Sequence, residues 1–194
     1  GYWKKKAYQN AAGLKGRTMG IIGLGSIGGA LAKLAKGLDM NVIAWSRSLT
    51  PNKAGELGLV YCESIAEVAA NADVVSVHLA VTPETKQLLN NDFFNKMKDG
   101  AIFVNTSRGE IVDTAALRKA IDEKAIRVGL DVFENEPGSG LAEFDQTDLA
   151  GLITCTPHIA ASTNQASEAI ANEVVRIVDS LIKTGKPINA VNSR

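Results

Sequence analysis

Residues 18–31 read TMGIIGLGSIGGAL, and this stretch decides the fold. Residues 18–22 form a short apolar run with the character of a buried strand. The run leads directly into Gly23-Leu24-Gly25-Ser26-Ile27-Gly28, a GxGxxG pattern. A helical pattern follows, with an apolar face made of Ile27, Leu31, Leu34, Ala35 and Leu38. The stretch therefore predicts a strand, a tight turn and a crossover helix, which together begin a parallel sheet.

The three glycines of the pattern have separate roles in such a turn. Gly23 permits the tight turn, Gly25 lets the backbone approach a pyrophosphate, and Gly28 allows the helix to pack closely on the strand. The helix N-terminus then offers free N–H groups and a positive dipole end to the phosphates. Because a strand precedes the motif and a helix follows it, we predict dinucleotide binding rather than a glycine-rich turn that binds nothing.

The rest of the chain alternates short apolar runs with helical patterns. This rhythm predicts a Rossmann-type doubly wound α/β fold, with a mainly parallel sheet inside three α/β/α layers. No repeat or flexible linker interrupts it, so we expect one dinucleotide-binding domain over residues 1–194. The expected strands are residues 18–22, 41–45, 74–79, 101–105, 126–131 and 152–154.

Helix-capping residues mark two further helices. Ser64 and Glu67 have the spacing of a capping box, and Asp113 is suited to cap the helix that follows it. The last helix is expected at about residues 164–183. Its expected buried residues are Ile170, Val174, Ile177, Val178 and Leu181.

The end of the second strand bears on the choice of cofactor. An NAD site usually has an acidic residue there that accepts hydrogen bonds from ribose hydroxyls, whereas this chain has Ser46 and Arg47. Arg47 is suited to pair with a 2′-phosphate, and no carboxylate would repel that group. We therefore predict NAD or NADP, with NADP slightly favoured. The alternative is that Arg47 is a solvated loop residue and that NAD binds.

Later strands are expected to bring chemical groups to the same edge of the sheet. Arg108 follows the strand at residues 101–105, where a planar bidentate donor suits a substrate carboxylate. Glu136 and His158 follow the next two strands, and a carboxylate beside an imidazole stabilises its protonated form. Each residue alone has an ordinary structural explanation. Their convergence beside a dinucleotide site predicts an active site.

The composition argues against several other classes of protein. The 21 basic and 21 acidic side chains balance, so general nucleic-acid binding is not expected. There is no apolar window long enough for a membrane span and no signal peptide, so we expect a cytoplasmic protein without a membrane partner. Cys62 and Cys155 match no metal or disulfide pattern; we expect both to be buried apolar residues, and we expect no metal site.

Taken together, the motifs resemble the cofactor domain of the D-isomer-specific 2-hydroxyacid dehydrogenases. Five blocks match in order along almost the whole chain, at residues 19–29, 74–85, 102–112, 129–137 and 156–163. Five blocks in order are far more specific than any one motif. The resemblance implies an enzyme that transfers a hydride between a nicotinamide cofactor and a small 2-hydroxy or 2-oxo acid.

The resemblance also implies roles for individual residues. Arg108 is similar to the arginine that holds the substrate carboxylate and carbonyl, Glu136 to the glutamate beside the catalytic histidine, and His158 to that histidine. Glu134 is then a bystander, and Asp131 resembles an aspartate near the nicotinamide carboxamide. The expected cofactor-binding residues are Gly23, Gly25, Ser26, Ile27, Gly28, Ser46, Arg47, His78, Leu79, Ala80, Thr85, Thr106, Ser107, Arg108, Asp131, His158, Ala160 and Ala161.

Some features bear on the branch of the family. Residues 160–171 look most like the phosphoglycerate dehydrogenases, which are enzymes of serine biosynthesis. Ser46 stands where the family usually has an acidic residue, which favours the alternative of a glyoxylate or hydroxypyruvate reductase, since these often prefer NADPH. Ala80 stands where proline is usual, and we expect this to change only the stiffness of a loop.

The family also has a substrate-binding domain built from both chain ends, and we expect it to be largely absent from this stretch. This stretch alone is therefore expected to bind dinucleotide and to turn over substrate poorly. The family implies a homodimer through the cofactor domains; Tyr2, Trp3 and Tyr8 could contribute to it or equally cover the domain's own core. A dinucleotide-responsive binding protein with vestigial catalysis is the alternative from another class, although the retained catalytic set argues against it.

Overall fold

Seven parallel strands form one sheet in a computed structural model of the chain, which describes Trp3 and residues 5–8, 13–138 and 143–191. They are β1 (Thr18–Ile22), β2 (Asn41–Trp45), β3 (Val60–Tyr61), β4 (Val74–Val77), β5 (Ile102–Asn105), β6 (Arg127–Leu130) and β7 (Thr154–Cys155). Their order across the sheet is β3-β2-β1-β4-β5-β6-β7. The direction of winding changes between β1 and β4, which confirms the predicted doubly wound fold.

The described helices are α1 (Lys5–Tyr8), α2 (Ser26–Gly37), α3 (Pro51–Glu56), α4 (Ile65–Asn71), α5 (Asn91–Lys96), α6 (Thr114–Lys124), α7 (Thr147–Ala150) and α8 (Asn164–Thr184). Helices α2 to α6 cover the two faces of the sheet. One apolar cluster includes residues of α2 and α3, and a second includes residues of α4, α5 and α6. The sheet therefore separates two cores, as the three-layer prediction requires.

Side-chain caps begin the helices where the sequence predicted them. The Ser64 hydroxyl accepts from the Glu67 amide at 3.1 Å, while the Glu67 carboxylate accepts from the Glu63 amide at 2.8 Å. Asp113 Oδ1 accepts from the Ala115 and Ala116 amides, both at 3.0 Å. These bonds satisfy N–H groups that a helix start would otherwise leave without partners.

The buried face of α2 differs from the predicted one. Ile27 and Leu34 are 71% and 68% exposed, and Leu38 is also exposed. Ala35 of the predicted face is buried, and the other buried residues of α2 are the small Gly28 and Ala32. Small residues let α2 approach the sheet closely, and the bulkier apolar residues are displaced to its outer side.

The chain forms two compact units, Gly1–Pro157 and His158–Arg194. The second unit holds the long helix α8, and none of its residues is buried. The burial predicted for Ile170, Val174, Ile177, Val178 and Leu181 is therefore wrong for the chain as described. A single helix has no second layer within its own unit to cover an apolar face. The expectation of one domain over residues 1–194 stays a prediction.

Several other expectations concern single residues. Cys62 is buried and Cys155 is partly buried, and both thiols are free. Burial, helped by the charge of Glu67, raises the pKa of the Cys62 thiol to about 11. Trp3 is 93% exposed and so does not cover the core, whereas Tyr2 lies outside the described residues.

In the described ranges, His, Cys, Asp and Glu side chains form no group of three that could hold a metal ion. Among the same residues, none of the helices combines the length and apolar character needed to cross a bilayer.

Candidate functional site

An open crevice of about 560 Å³ lies at the carboxyl ends of the central strands. Its walls come from the loops after β1, β4 and β5, so it includes the point between β1 and β4 where the winding changes direction. Ligands of doubly wound sheets bind at this point, and the volume suits a small-molecule or cofactor site. The lining residues are Gly25, Ser26, Ile27, Gly28, His78, Leu79, Ala80, Val81, Thr106, Ser107 and Arg108. All of them except Val81 were expected at the cofactor site.

The glycines of the turn after β1 have different surroundings. Gly23 has a φ of +96°, and a Cβ there would lie 2.5 Å from the His78 carbonyl oxygen. A Cβ on Gly28 would overlap the Gly23 carbonyl oxygen. Gly25, in contrast, has no heavy atom within 4 Å of the position of a Cβ. The fold itself requires Gly23 and Gly28, whereas Gly25 leaves open space at the crevice for a ligand that approaches the backbone.

The start of α2 fits the phosphates of a dinucleotide. Gly25 is the N-cap residue and has no side chain that could bond the N–H groups of the first helical turn. These groups therefore remain available for a bound anion, at the positive end of the helix dipole. The residues present fit a dinucleotide pyrophosphate at this place.

The loop after β4 forms the second wall. His78 is half-buried, and its Nε2 atom lies 3.0 Å from the hydroxyl of the buried Ser76. Burial lowers the His78 pKa, which favours a neutral imidazole at the crevice. Thr85 does not line the crevice; its hydroxyl donates to the Ala80 carbonyl at 2.7 Å and accepts from the Thr82 amide at 2.7 Å. The Thr85 hydroxyl therefore holds together the part of this loop at residues 80–85.

The loop after β5 presents Arg108 and is organised by a residue that the sequence did not single out. The buried Asn105 accepts from the Ser107 amide and hydroxyl at 2.9 and 2.7 Å, and it donates to the Arg108 carbonyl at 2.9 Å. The Arg108 guanidinium is exposed and donates one bond to the Ser107 carbonyl, at 2.6 Å. Its other N–H donors remain for a carboxylate in the crevice. The sequence feature that could have identified Asn105 is its position, since it is an amide side chain at the carboxyl end of a strand.

The residues after β2 lie outside the crevice lining. Ser46 is partly exposed and Arg47 is exposed. A hydrogen bond from Thr82 and, to a lesser degree, the positive charge of Arg47 lower the pKa of the Glu84 carboxyl. The charge of Glu84, in the loop after β4, thus interacts with that of Arg47, the residue predicted to bind a 2′-phosphate, and the sequence did not predict this interaction.

The loop after β6 carries three acidic residues with different environments. Asp131 is buried, and its Oδ1 accepts from the Thr156 hydroxyl at 2.5 Å, which joins the ends of β6 and β7. Glu136 Oε1 accepts from the Phe133 amide at 2.8 Å. Glu134, expected to be a bystander in the chemistry, uses both carboxylate oxygens in hydrogen bonds, and its role stays a prediction.

The remaining predicted residues belong to the second unit. His158 adopts a left-handed backbone conformation with a φ of +53°. Ala160 and Ala161 follow in a turn that ends at the α8 N-cap, Thr163, whose hydroxyl accepts from the Ala166 amide at 3.1 Å. Arg108 and Glu136 are in the first unit, and the roles of all these residues stay predictions.

The fold and the crevice define a dinucleotide-binding domain, and comparison with known proteins gives its family. Residues 1–160 match the model of the family "D-isomer specific 2-hydroxyacid dehydrogenase, NAD binding domain". The match covers most of the chain, so the chain belongs to this family, as its motifs predicted. NAD is thus the cofactor named for the domain.

Individual relatives agree with this assignment. The chain is 40% identical over 181 residues to a glyoxylate reductase from Thermococcus litoralis, covering 93% of this chain and 53% of that protein. It is 39% identical over 194 residues to a D-3-phosphoglycerate dehydrogenase from Archaeoglobus fulgidus, covering 99% of this chain and 36% of that protein. The chain therefore spans about half or less of the length of these relatives.

A solved structure supports the fold. D-lactate dehydrogenase with NAD+ from Lactobacillus jensenii superimposes with a TM-score of 0.80 at 29% identity. The match covers 92% of this chain and 56% of that one. The relatives act on different acids, so they establish the family without resolving its member.

Proposed function

We propose that the protein containing this chain is a D-2-hydroxyacid dehydrogenase that transfers a hydride between a nicotinamide cofactor and C2 of a small 2-hydroxy or 2-oxo acid. One observation carries the proposal: a single crevice is lined both by the uncapped start of α2 and by Arg108. The first group suits a pyrophosphate and the second suits a carboxylate. Cofactor and acid would therefore lie side by side.

Arg108 orients the substrate in this proposal. Its guanidinium holds the carboxylate and polarises the C2 carbonyl, while Asn105 and Ser107 keep its loop in place. When bound, the nicotinamide supplies or accepts the hydride. An Arg108→Lys variant keeps the charge but loses the planar fork, so it should raise the KM for the acid.

His158 and Glu136 handle the proton. His158 would exchange a proton with the substrate hydroxyl, and Glu136 would stabilise the imidazolium that is needed for reduction. The Phe133 amide already restrains the Glu136 carboxylate. Glu136→Gln tests the pairing: it should lower kcat for reduction and leave NADH binding within about twofold of the parent. An unchanged kcat would argue against the pair.

The substrate we favour is 3-phosphoglycerate, with the enzyme acting in serine biosynthesis. The likeness of residues 160–171 to phosphoglycerate dehydrogenases supports it, as does the match to the Archaeoglobus fulgidus enzyme over 99% of this chain. Glyoxylate or hydroxypyruvate is the second candidate, supported by Arg47 and by the similarity to the Thermococcus litoralis enzyme. NAD is the cofactor we propose for the first activity and NADP for the second.

An assay of the longest natural form that contains this chain distinguishes the candidates. Oxidation of 3-phosphoglycerate with NAD+ would support the first, and reduction of glyoxylate or hydroxypyruvate with NADPH the second. Tight dinucleotide binding without turnover of any 2-hydroxy or 2-oxo acid would instead favour a dinucleotide-responsive binding protein.

Cofactor preference has a separate test in titrations with NADH and NADPH, followed by cofactor fluorescence. If Arg47 binds a 2′-phosphate, Arg47→Ala should weaken NADPH binding about 10-fold or more and leave NADH unchanged. Ser46→Asp should favour NADH, since its carboxylate accepts from ribose hydroxyls and repels a phosphate. An Arg47→Ala variant that binds NADPH like the parent would remove the phosphate interpretation.

A homodimer in the cytoplasm is the assembly we propose. Leu34 and Leu38 on α2, together with Trp3, are apolar side chains exposed on the described part of the chain, and a second copy would cover them. Sedimentation equilibrium should give a dimer that Leu34→Lys weakens. A monomer at micromolar concentration would contradict this assembly, and cell fractionation tests the compartment.

A further inference from the structure

Glu134 joins three segments of the chain that are far apart in sequence. Its Oε1 accepts from Gln87 Nε2 at 3.1 Å, in the loop after β4, and its Oε2 accepts from the Thr114 hydroxyl at 3.0 Å, at the start of α6. Its backbone carbonyl accepts from Gln146 Nε2 at 2.5 Å, just before α7. The Glu134 side chain is only partly buried.

The backbone of the same turn supports Arg108. Gly109, directly after Arg108, packs so closely on this turn that a Cβ there would overlap the Phe133 carbonyl group and the Glu134 nitrogen. Gly109 is buried, and no side chain could act as a spacer at this contact. A displacement of the turn at residues 133–134 therefore moves the segment that carries Arg108.

The other end of the turn holds Glu136. The Phe133 amide donates to Glu136 Oε1 at 2.8 Å, and Asn135 reverses the chain with a left-handed φ of +58°. The position of the Glu136 carboxylate thus depends on the conformation of residues 133–135. Glu134 is in the middle of this segment, and its side chain bonds both the loop after β4 and the first residue of α6.

We propose that Glu134 is a positioning residue, which holds Arg108 and Glu136 in register without itself touching the substrate. The inference rests on the proposed hydride-transfer function, since that function makes the placement of both groups consequential. Misplacement of a reacting group by about 1 Å costs on the order of 100-fold in rate. A carboxylate fixed at two oxygens is suited to prevent such a shift.

The experiment compares variants of the longest natural form that contains this chain. Glu134→Ala removes both side-chain bonds, and we expect a 10- to 100-fold lower kcat/KM for the acid, with the NADH dissociation constant within about twofold. Glu134→Gln can keep both bonds once the Gln87 amide turns over, and it should stay within about threefold of the parent. Asp148→Ala is the control, because it breaks a carboxylate contact between α7 and α6, to Arg118, that does not involve the turn.

Amide hydrogen exchange gives a second measurement that needs no activity. Glu134→Ala should speed exchange of the Phe133 amide about 10-fold or more and leave the Asp131 amide, which donates to the Asn105 carbonyl in the sheet, unchanged. A parent enzyme inactive on every acid would refute the proposed function, and exchange at Phe133 would still test the anchoring. Unchanged exchange at Phe133, or a kcat/KM of Glu134→Ala within twofold of the parent, would overturn the proposal.

Discussion

Alanine substitutions at Gly25, Gly28 and Gly29 should separate the folding of the crevice from the binding of its ligand. A Cβ on Gly28 would overlap the Gly23 carbonyl oxygen and lie 3.2 Å from Ile21 Cγ2. To relieve it, the start of α2 must move away from β1 by on the order of 1 Å. Overpacking of this kind costs about 1–3 kcal/mol, or roughly 2–12 °C in Tm for a domain of this size.

The other two positions have open space in the protein. Gly29→Ala meets no atom within 4 Å and lies inside α2, so it should gain about 0.5–1 kcal/mol of stability. Gly25→Ala also meets no protein atom, so its cost in stability should stay within about 1 kcal/mol. Its methyl group would, however, occupy the space through which a pyrophosphate reaches the backbone. Loss of one charge-assisted hydrogen bond there, about 1.5–3 kcal/mol, weakens NADH binding roughly 10- to 150-fold.

Thermal unfolding and NADH fluorescence titration of the three variants test these expectations together. Gly28→Ala should lose both stability and binding, Gly25→Ala mainly binding, and Gly29→Ala neither. NADH binding by Gly25→Ala equal to that of the parent would refute the placement of the pyrophosphate. A Gly28→Ala variant as stable as the parent would refute the close approach of α2 to β1.

Three further predictions follow from single side chains. Burial raises the pKa of Asp73, but hydrogen bonds from Lys98 and from the Thr18 amide lower it by more. The net pKa of Asp73 therefore lies below the ordinary 3.8. The stabilisation by the Asp73 carboxylate is therefore full above pH 3.8 and is lost as pH falls through the folded-state pKa. In urea denaturation at acid pH, the free energy of unfolding of Asp73→Asn should depend less steeply on pH than that of the parent. An equally steep dependence would contradict this. The His78 ring should titrate below its ordinary 6.5 by NMR, because burial disfavours its charged form; a midpoint at or above 6.5 would contradict the burial. Phe103→Ala, at a fully buried ring, should cost about 3–5 kcal/mol of unfolding free energy by urea denaturation, and a loss under 1 kcal/mol would contradict its core position.

Strands with strong apolar patterns could be predicted closely, and strands that depend on neighbours could not. The predicted residues 18–22 and 41–45 coincide with β1 and β2. β3 has only two residues and was not predicted, while β7 lies at Thr154–Cys155 rather than at residues 152–154. Both are short edge strands, whose pairing partners decide their limits more than their own composition does.

Helical periodicity identifies residues that share a face, but it does not say which face is inward. In α2 the predicted face included Ala35, which is buried, but also bulky residues that are exposed, and close packing against the sheet adds Gly28 and Ala32 to the buried set. Hydrophobicity alone favours burial of the bulky residues, whereas the space between α2 and the sheet excludes them.

The location of the candidate site followed from topology, whereas its hydrogen-bond network did not. Loops after neighbouring parallel strands meet at one edge, so the crevice lining was expected almost completely. The bonds of Glu134 to Gln87 and Thr114 connect residues 47 and 20 positions apart. Such pairings depend on loop conformations that no local pattern specifies. Glu134 was taken as a bystander because the resemblance assigns the catalytic role to Glu136, the glutamate before proline.

The two free thiols have a practical consequence, because they report on opposite edges of the sheet. Cys62 directly follows β3 and Cys155 ends β7, the strands at the two extremes of the order. Cys62 is buried with a raised pKa, so a thiol reagent should modify it only when that edge opens, whereas the partly buried Cys155 should react sooner. The time course of alkylation at each cysteine, resolved by mass spectrometry, would therefore measure how often each edge opens in the native protein without an introduced label.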